Sequence, residues 1–282
     1  MPIDPAAVGA TGPPVTWSWD FSACILYALA VGAGTAELAF TTEDSEGVAQ
    51  LVLPTFAVLG GPRRPPPSVV GSYDPAMLVH GEQHLELAGP LPVAATVSSA
   101  STIVGIWDKG SGALVVSEAR STDAASGRWL FTNRASAFIR GEGGWGGPRG
   151  PSEEGAVPPE VPARPPDEVV SYATSPDQAL LYRLCGDRNP LHSDPAYAAR
   201  AGFERPILHG LCTWGFAGRA LLHTVCRSDP GRLRAMEGRF AAPVYPGDTL
   251  STSIWVEGDG ATFRTESHRG DVVVDRGRCA LA

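Results

Sequence analysis

The sequence predicts an α+β fold in which one unit, a helix wrapped by an antiparallel sheet, occurs twice. Strand candidates fall into two groups, one in each half of the chain, and each group accompanies an apolar helix. Short segments also recur at an offset of roughly 152 to 155 residues, which indicates a duplicated unit. The recurring pairs are Tyr27-Ala28-Leu29 with Tyr182-Arg183-Leu184, Leu53-Pro54-Thr55-Phe56 with Arg205-Pro206-Ile207-Leu208, and residues 87–92 with residues 240–246.

The first unit is predicted over residues 1–140. A Pro- and Gly-rich arm over 1–16 precedes an apolar helix over 20–31, for which Asp20 is the N-cap. Apolar runs separated by turn residues then predict antiparallel strands, over residues 80–87, 91–99, 101–107, 113–120 and 129–139.

A linker over residues 141–167 is rich in Gly and Pro and lacks apolar periodicity. It separates the first unit from a second unit, predicted over 168–282. The second unit is expected to contain a helix over 176–185 and a longer helix from Leu211 to Val225. Four strands are predicted to close the chain, over residues 233–241, 249–257, 261–268 and 271–281.

The longer helix contains Gly215 and Gly218. Each glycine lowers helix stability by about 1 kcal/mol relative to alanine. We therefore expect this helix to be pressed closely against a neighbouring element, such as the wrapping sheet.

Composition narrows the classes of function. The 282 residues carry a net charge of -8, and no Lys/Arg run alternates with aromatic residues, so nucleic-acid binding is not expected. Five scattered cysteines without a Cys-x-x-Cys pair favour a reducing compartment over a disulfide framework or a zinc site. The sequence shows no signal peptide and no apolar stretch of about 18 residues, so a cytoplasmic protein without a membrane span is expected.

The loop from Gly186 to His192 carries the candidate chemistry. It places Asp187, Asn189 and His192 within six residues, a polar grouping that a buried core segment would not carry. A carboxylate and an imidazole that act on one water can exchange protons with a substrate. Gly210, at the start of the longer helix, offers a backbone N–H with the positive end of the helix dipole behind it, which suits a developing oxyanion.

These residue types also have ordinary structural explanations. Asp187 and Asn189 are typical turn residues, and His192 can be an ordinary loop histidine. His209 is expected to be structural. Asp187 and His192 have no third ligand at a useful spacing, so no metal site is expected, and no Gly-x-Ser-x-Gly nucleophile is present. By residue type alone, Lys109 is a hairpin lysine.

The segment Tyr182 to His192 resembles the hydratase 2 motif of the MaoC-like (R)-specific enoyl-CoA hydratases. The similarity extends over nearly the whole chain, including residues 74–83, 108–112, 206–213 and 239–250. The chain looks like the hydratase domain of the peroxisomal multifunctional enzymes type 2 and like standalone actinobacterial relatives. The resemblance implies a double hot-dog fold, in which two hot-dog units share one chain and the second carries the active site.

The resemblance also implies roles for individual residues. It implies that Asp187 and His192 are the catalytic pair and that Asn189 is their polar partner. It also implies that the Gly210 N–H binds the thioester oxygen. The positions that contact the CoA ester in the family are His80, Gly81, Lys109 and Phe240.

The implied activity is the reversible syn hydration of a trans-2-enoyl-CoA to the (R)-3-hydroxyacyl-CoA, by a homodimer that needs no cofactor besides the CoA thioester substrate. Three alternatives stay open at this point: a dehydratase for carrier-bound chains in fatty-acid or polyketide elongation, a non-catalytic acyl-CoA binding protein, and a thioesterase. The first unit lacks the polar loop, because Gly32 to Glu37 stands in its place. It is expected to hold the acyl tail and to contact CoA.

Overall fold

The computed structural model describes residues 3–61, 67–150 and 161–282. Its strands form one antiparallel sheet, in the order β1-β3-β4-β5-β2-β7-β10-β9-β8-β6. The bounds are β1 Val15–Trp19, β2 Leu78–Leu87, β3 Ala95–Asp108, β4 Gly112–Asp123, β5 Trp129–Arg140, β6 Glu168–Ala173, β7 Leu233–Phe240, β8 Thr249–Glu257, β9 Gly260–Ser267 and β10 Val272–Leu281. The halves of the sheet therefore correspond to the halves of the chain, and they join where β2 pairs with β7.

Two helices, one from each half, pack in the core. These are α1 (Phe21–Ala30) and α6 (Gly210–His223), and Asp20, the predicted N-cap of α1, accepts a hydrogen bond from the Ala23 N–H. The helices are α1 Phe21–Ala30, α2 Leu38–Thr41, α3 Pro67–Val70, α4 Gln178–Tyr182, α5 Pro195–Arg200 and α6 Gly210–His223. Within the described ranges, no helix combines the length and apolar character needed to cross a membrane.

The glycines of α6 allow the close packing that the sequence predicts. A Cβ atom on Gly215 would overlap with Val31, and one on Gly218 would overlap with Thr55 of a buried 3-10 turn, Pro54–Leu59. The tightest contacts of α6 are thus with helical segments of the first half rather than with the wrapping sheet. This packing sets the start of α6 against the first half of the chain.

Several predicted elements differ from the structure. The strands predicted over 91–99 and 101–107 are one strand, β3, because Ala100 between them pairs with Arg120 and continues the ladder with β4. The ladder has one bulge, between Ile103 and Gly105. The predicted helix over 176–185 is shorter: α4 is followed by a 3-10 turn, Arg183–Cys185, which Gly186 ends with φ 107°. The N-terminal arm leads directly into β1, where the sequence predicts no strand.

The predicted linker over 141–167 lies partly outside the described residues, since 151–160 are not described. Its beginning is anchored by Asp108, whose carboxylate accepts hydrogen bonds from the N–H groups of Gly144 and Gly146, each at 2.8 Å. These backbone donors, the Gly144 N–H foremost, hold the pKa of Asp108 below its usual value. The domain boundaries stay a prediction.

A charged cluster joins the two halves on the side away from the polar loop. Glu37 forms ion pairs with buried Arg219 and with His223, both on α6, and the His223 Nε2 lies 2.9 Å from the carboxylate. Arg219 also donates a hydrogen bond of 3.0 Å to the Val31 carbonyl. Burial by itself would raise the pKa of Glu37, but the hydrogen bonds from His223 and Arg219 outweigh it and lower the pKa to about 2.

We expect Glu37→Gln to lower the free energy of unfolding at pH 7 by about 3 kcal/mol, because it leaves Arg219 buried without its counter-ion. A carboxyl with a depressed folded-state pKa contributes stability that is present above its ordinary pKa of 4.5 and is lost as the pH falls toward about 2. The difference between wild type and variant should therefore shrink between pH 4.5 and pH 2. Urea unfolding at several pH values measures it, with exposed Glu43→Gln as the control. A difference that does not change with pH would contradict the assignment.

Candidate functional site

The polar loop is held by its own side chains. The Asp187 carboxylate accepts a hydrogen bond of 3.2 Å from the Asn189 N–H. The Asn189 side-chain oxygen accepts one of 3.1 Å from the Leu191 N–H and so caps the 3-10 turn Pro190–His192. The turn explanation for Asp187 and Asn189 is therefore confirmed. It leaves room for a chemical role, since both side chains also line a cavity.

His192 is fixed in one orientation. The residue is buried, and its Nδ1 lies 2.8 Å from the Ile207 carbonyl oxygen. A carbonyl oxygen only accepts hydrogen bonds, so Nδ1 carries the proton in this contact. In the neutral ring Nε2 is then the proton acceptor, which suits a group that takes a proton from water.

His209, which is expected to be structural, packs against this pair. Its ring stacks on His192 with 3.6 Å between centroids, and its Nε2 lies 3.1 Å from the Asp187 carbonyl oxygen. The Tyr182 ring lies on it with 4.9 Å between centroids. The signal in the sequence was its position directly before Gly210.

Together Asp187, His192 and His209 could supply three metal ligands, with one donor atom from each lying within 4.8 Å of the others. The sequence spacing therefore did not reveal His209 as a possible third ligand. Ligands of one ion must point at that ion, whereas two stacked imidazoles hold their lone pairs in nearly parallel planes. We accordingly assign no metal here, and the expected lack of a metal stays a prediction.

Gly210 begins α6, with His209 at the N-cap. The His209 side chain makes no capping hydrogen bond to the helix. The first N–H groups of a helix have no intrahelical partner and lie at the positive end of its dipole. A Cβ atom at Gly210 would lie 3.3 Å from the Phe240 ring, so the aromatic ring approaches this backbone closely.

One cavity of about 880 Å³ is lined by the polar loop and the start of α6. Asp187, Asn189, His192 and Gly210 line it from the second half of the chain, and His80 lines it from β2. The cavity continues into the first half of the chain, where its wall includes Val58, Ser117, Ala119, Asn133, Ala135 and Ala137.

His80 lines this cavity and is uncharged at pH 7. Desolvation lowers its pKa to about 4, against the raising effects of the Glu82 carbonyl and of the Asp187 charge. Its ring packs on Phe240 with 4.9 Å between centroids, so Phe240 supports both His80 and Gly210. Gly81 lies at a bulge between β2 and β5, where a Cβ atom would lie 2.7 Å from the Ser136 hydroxyl.

Lys109 is not brought together with the catalytic candidates. It lines a second cavity of about 520 Å³ that also contains Arg134, Arg239 and Arg276. Its ammonium group donates a hydrogen bond to the Arg149 carbonyl. A contact between Lys109 and the CoA part of a substrate stays a prediction.

Comparison with known proteins covers both halves. The MFE-2 hydratase 2 N-terminal domain matches residues 17–141, and the MaoC like domain matches residues 158–277. The chain is 46% identical to 3-hydroxyacyl-thioester dehydratase Y of Mycobacterium tuberculosis, over 98% of both chains. It is 41% identical to enoyl-CoA hydratase ChsH3 of the same organism, over 92% of this chain and 91% of the relative.

Solved structures agree with the fold. A MaoC-like dehydratase from Phytophthora capsici superimposes with a TM-score of 0.83 at 33% identity, over 96% of this chain and 95% of the other. A Mycobacterium tuberculosis protein described as having a double hotdog fold superimposes with a TM-score of 0.58 at 18% identity, which shows the fold alone. The double hot-dog prediction is thus confirmed, and the chain belongs to the MaoC-like family, alongside the enoyl-CoA hydratases and 3-hydroxyacyl-thioester dehydratases that it matches along almost its whole length.

Proposed function

We propose that the protein is a hydro-lyase that catalyses the reversible syn hydration of a trans-2-enoyl-CoA to the (R)-3-hydroxyacyl-CoA. The observation that carries the proposal is the meeting of Asp187, His192 and the start of α6 at Gly210 on one cavity. An acid/base pair and an oxyanion donor are the groups that addition of water across an activated double bond requires. The names of the two mycobacterial relatives support this choice of reaction.

The addition begins with water held between the Asp187 carboxylate and His192 Nε2. The water oxygen forms a bond to C3 of the enoyl thioester while its proton passes to the acid/base pair. The electron pair of the double bond moves to the thioester oxygen, where the Gly210 N–H stabilises the enolate. C2 then receives a proton from the same pair, which returns Asp187 and His192 to their starting protonation state. Because Asp187 and His192 act on the same water, we assign the acid and base roles to the pair rather than to one member.

Syn stereochemistry follows from this placement. Both acid/base groups come from one short loop, so the hydroxyl and the proton reach the same face of the double bond. Asn189 holds the loop through its cap on the 3-10 turn, and its side-chain amide faces the cavity.

The first half of the chain receives the acyl tail in this proposal. The cavity continues past the loop toward β4 and β5, where small side chains such as Ala119 and Ala135 line it. A thioester with its carbonyl at Gly210 and C3 at Asp187 would extend its tail in this direction.

We expect Ala119→Phe to reduce activity toward long-chain 2-enoyl-CoA by about 10-fold or more and to leave crotonyl-CoA hydration nearly unchanged. Ala119 is buried on β4 in the cavity wall, so a larger side chain fills space that only a long tail uses. The ratio of kcat/KM for the two substrates is the measurement. An equal loss for both would show that the tail does not lie against β4.

The direct test follows the absorbance of the enoyl thioester when purified protein meets crotonyl-CoA and a long-chain 2-enoyl-CoA, with chiral analysis of the product. We expect loss of the band and formation of the (R)-3-hydroxyacyl-CoA. A thiol reagent added in parallel detects hydrolysis, so release of free CoA would indicate a thioesterase. Binding of both CoA esters without any loss of the band would contradict hydration of CoA esters and leave a carrier-linked dehydratase or a binding protein.

The proposal extends to the thioester partner, the metabolic setting, the assembly and the location of the protein. We propose CoA rather than a carrier protein as the thioester partner, β-oxidation as the metabolic setting, a homodimeric assembly and a cytoplasmic location. The dehydratase direction on carrier-bound chains is the second candidate, since one relative is named a 3-hydroxyacyl-thioester dehydratase. Comparing acyl-CoA with acyl-carrier substrates of equal chain length decides between them.

A further inference from the structure

We infer that His209 is a positioning residue, which holds the Asp187/His192 pair at a fixed place relative to the oxyanion donor of Gly210. The inference rests on the proposed function and adds a residue to which that function assigns no role. It is carried by contacts that His209 makes to the catalytic loop and by its place at the start of α6.

His209 contacts both members of the pair in different ways. Its Nε2 lies 3.1 Å from the Asp187 carbonyl oxygen, so the imidazole donates a hydrogen bond to the backbone of the loop. Its ring face covers the His192 ring, with 3.6 Å between centroids and 26° between planes. One side chain therefore fixes the start of the loop by a hydrogen bond and its end by stacking.

The short segment Ile207 to Gly210 completes this arrangement. The Ile207 carbonyl oxygen lies 2.8 Å from His192 Nδ1, which fixes the imidazole in its plane while His209 covers its face. Gly210 follows His209 directly and starts α6. The acid/base pair and the oxyanion donor are thus held by neighbouring residues of one segment, which sets the distance between them.

His209 is itself rigid. Only 2% of the residue is exposed, and the Tyr182 ring packs on it with 4.9 Å between centroids. Tyr182 in turn lies in the core beside Tyr27, with 6.2 Å between ring centroids. The row of rings thus connects His192 to the packed core of both halves. A side chain that positions others must itself be held in place by packing.

The two contacts can be separated by substitution. His209→Phe keeps an aromatic face for His192 and removes the donor to Asp187. His209→Gln keeps an N–H donor and removes the ring, and His209→Ala removes both. The control is His223→Ala, which also removes a hydrogen-bonded histidine but lies at the other end of α6, in the Glu37 cluster.

We expect His209→Ala to lower kcat for crotonyl-CoA hydration by about 10- to 100-fold with KM changed by less than about 3-fold, because a misplaced acid/base pair slows the chemical step. His209→Phe and His209→Gln should each restore part of the loss. His223→Ala should change the thermal midpoint and leave kcat unchanged. Equal kcat per folded molecule in all four variants, with only the midpoint altered, would overturn the inference.

A double-mutant cycle gives the second readout. If His209 acts through Asp187, His209→Phe should lower kcat much less in the Asp187→Asn background than in wild type. Additive losses would mean that His209 does not act through Asp187. Wild-type protein that hydrates no enoyl-CoA would instead overturn the proposed function and the His209 role with it, whereas active wild type with unaffected His209 variants overturns the His209 role alone.

Discussion

We expect Asp187→Asn and His192→Ala each to lower kcat for enoyl-CoA hydration by at least about 100-fold, the lower end of what a positioned acid or base contributes. Asp187→Asn removes the negative charge that helps to withdraw the proton from water. His192→Ala removes the ring whose Nδ1 donates a hydrogen bond to the Ile207 carbonyl and to whose Nε2 we assign the proton from water. Steady-state rates with crotonyl-CoA measure both losses.

The two changes should also be strongly non-additive. When two residues act as one unit, replacing either one lowers kcat about as much as replacing both. The double variant should therefore be little slower than the worse single variant. Asp177→Asn and His268→Ala make the same chemical changes at exposed residues outside the cavity and should keep wild-type rates. Near-normal turnover in both Asp187→Asn and His192→Ala would remove these residues from the mechanism.

The second large effect is expected at Gly210. Gly210→Pro deletes the N–H at the first helical position, where proline is well tolerated. The preceding residue, His209, already has the extended backbone that proline requires, with φ -60° and ψ 134°. We expect kcat to fall by about 100- to 1000-fold, as when one oxyanion donor is lost.

Gly210→Ala is the matched control for this loss. It keeps the N–H and adds a Cβ atom at 3.3 Å from the Phe240 ring, a crowding similar to that of proline. The loss of kcat in the alanine variant therefore measures the effect of crowding alone. The difference in kcat between the two variants measures the contribution of the N–H to catalysis. Equal kcat in the proline and alanine variants would contradict the oxyanion assignment.

Much of the fold could be predicted because it depends on local patterns. The apolar helix behind Asp20, the alternating strands of each half and the glycines of α6 are all visible along the chain. The near-constant offset between the halves also predicted the duplication. The missed strand β1 follows a Pro-rich arm, and its pairing is with β3, about 80 residues away in sequence, so no local pattern marks it.

The site was predictable only where its residues are close in sequence. Asp187, Asn189, His192 and Gly210 meet in one cavity because the loop and the start of α6 are near neighbours along the chain. The stack and the hydrogen bond of His209 could not be predicted, because they depend on how the loop folds back onto the segment before α6. Lys109 was grouped with the site by resemblance, and the structure places it in another cavity.

The most direct test of the central claim is hydration of crotonyl-CoA in deuterated water, with the configuration at C2 and C3 of the product determined. We expect the (R)-3-hydroxy product, with deuterium at C2 on the face that received the hydroxyl, because one loop supplies both the water and the proton. An (S) product, or deuterium on the opposite face, would contradict addition by the Asp187/His192 pair from one side of the cavity.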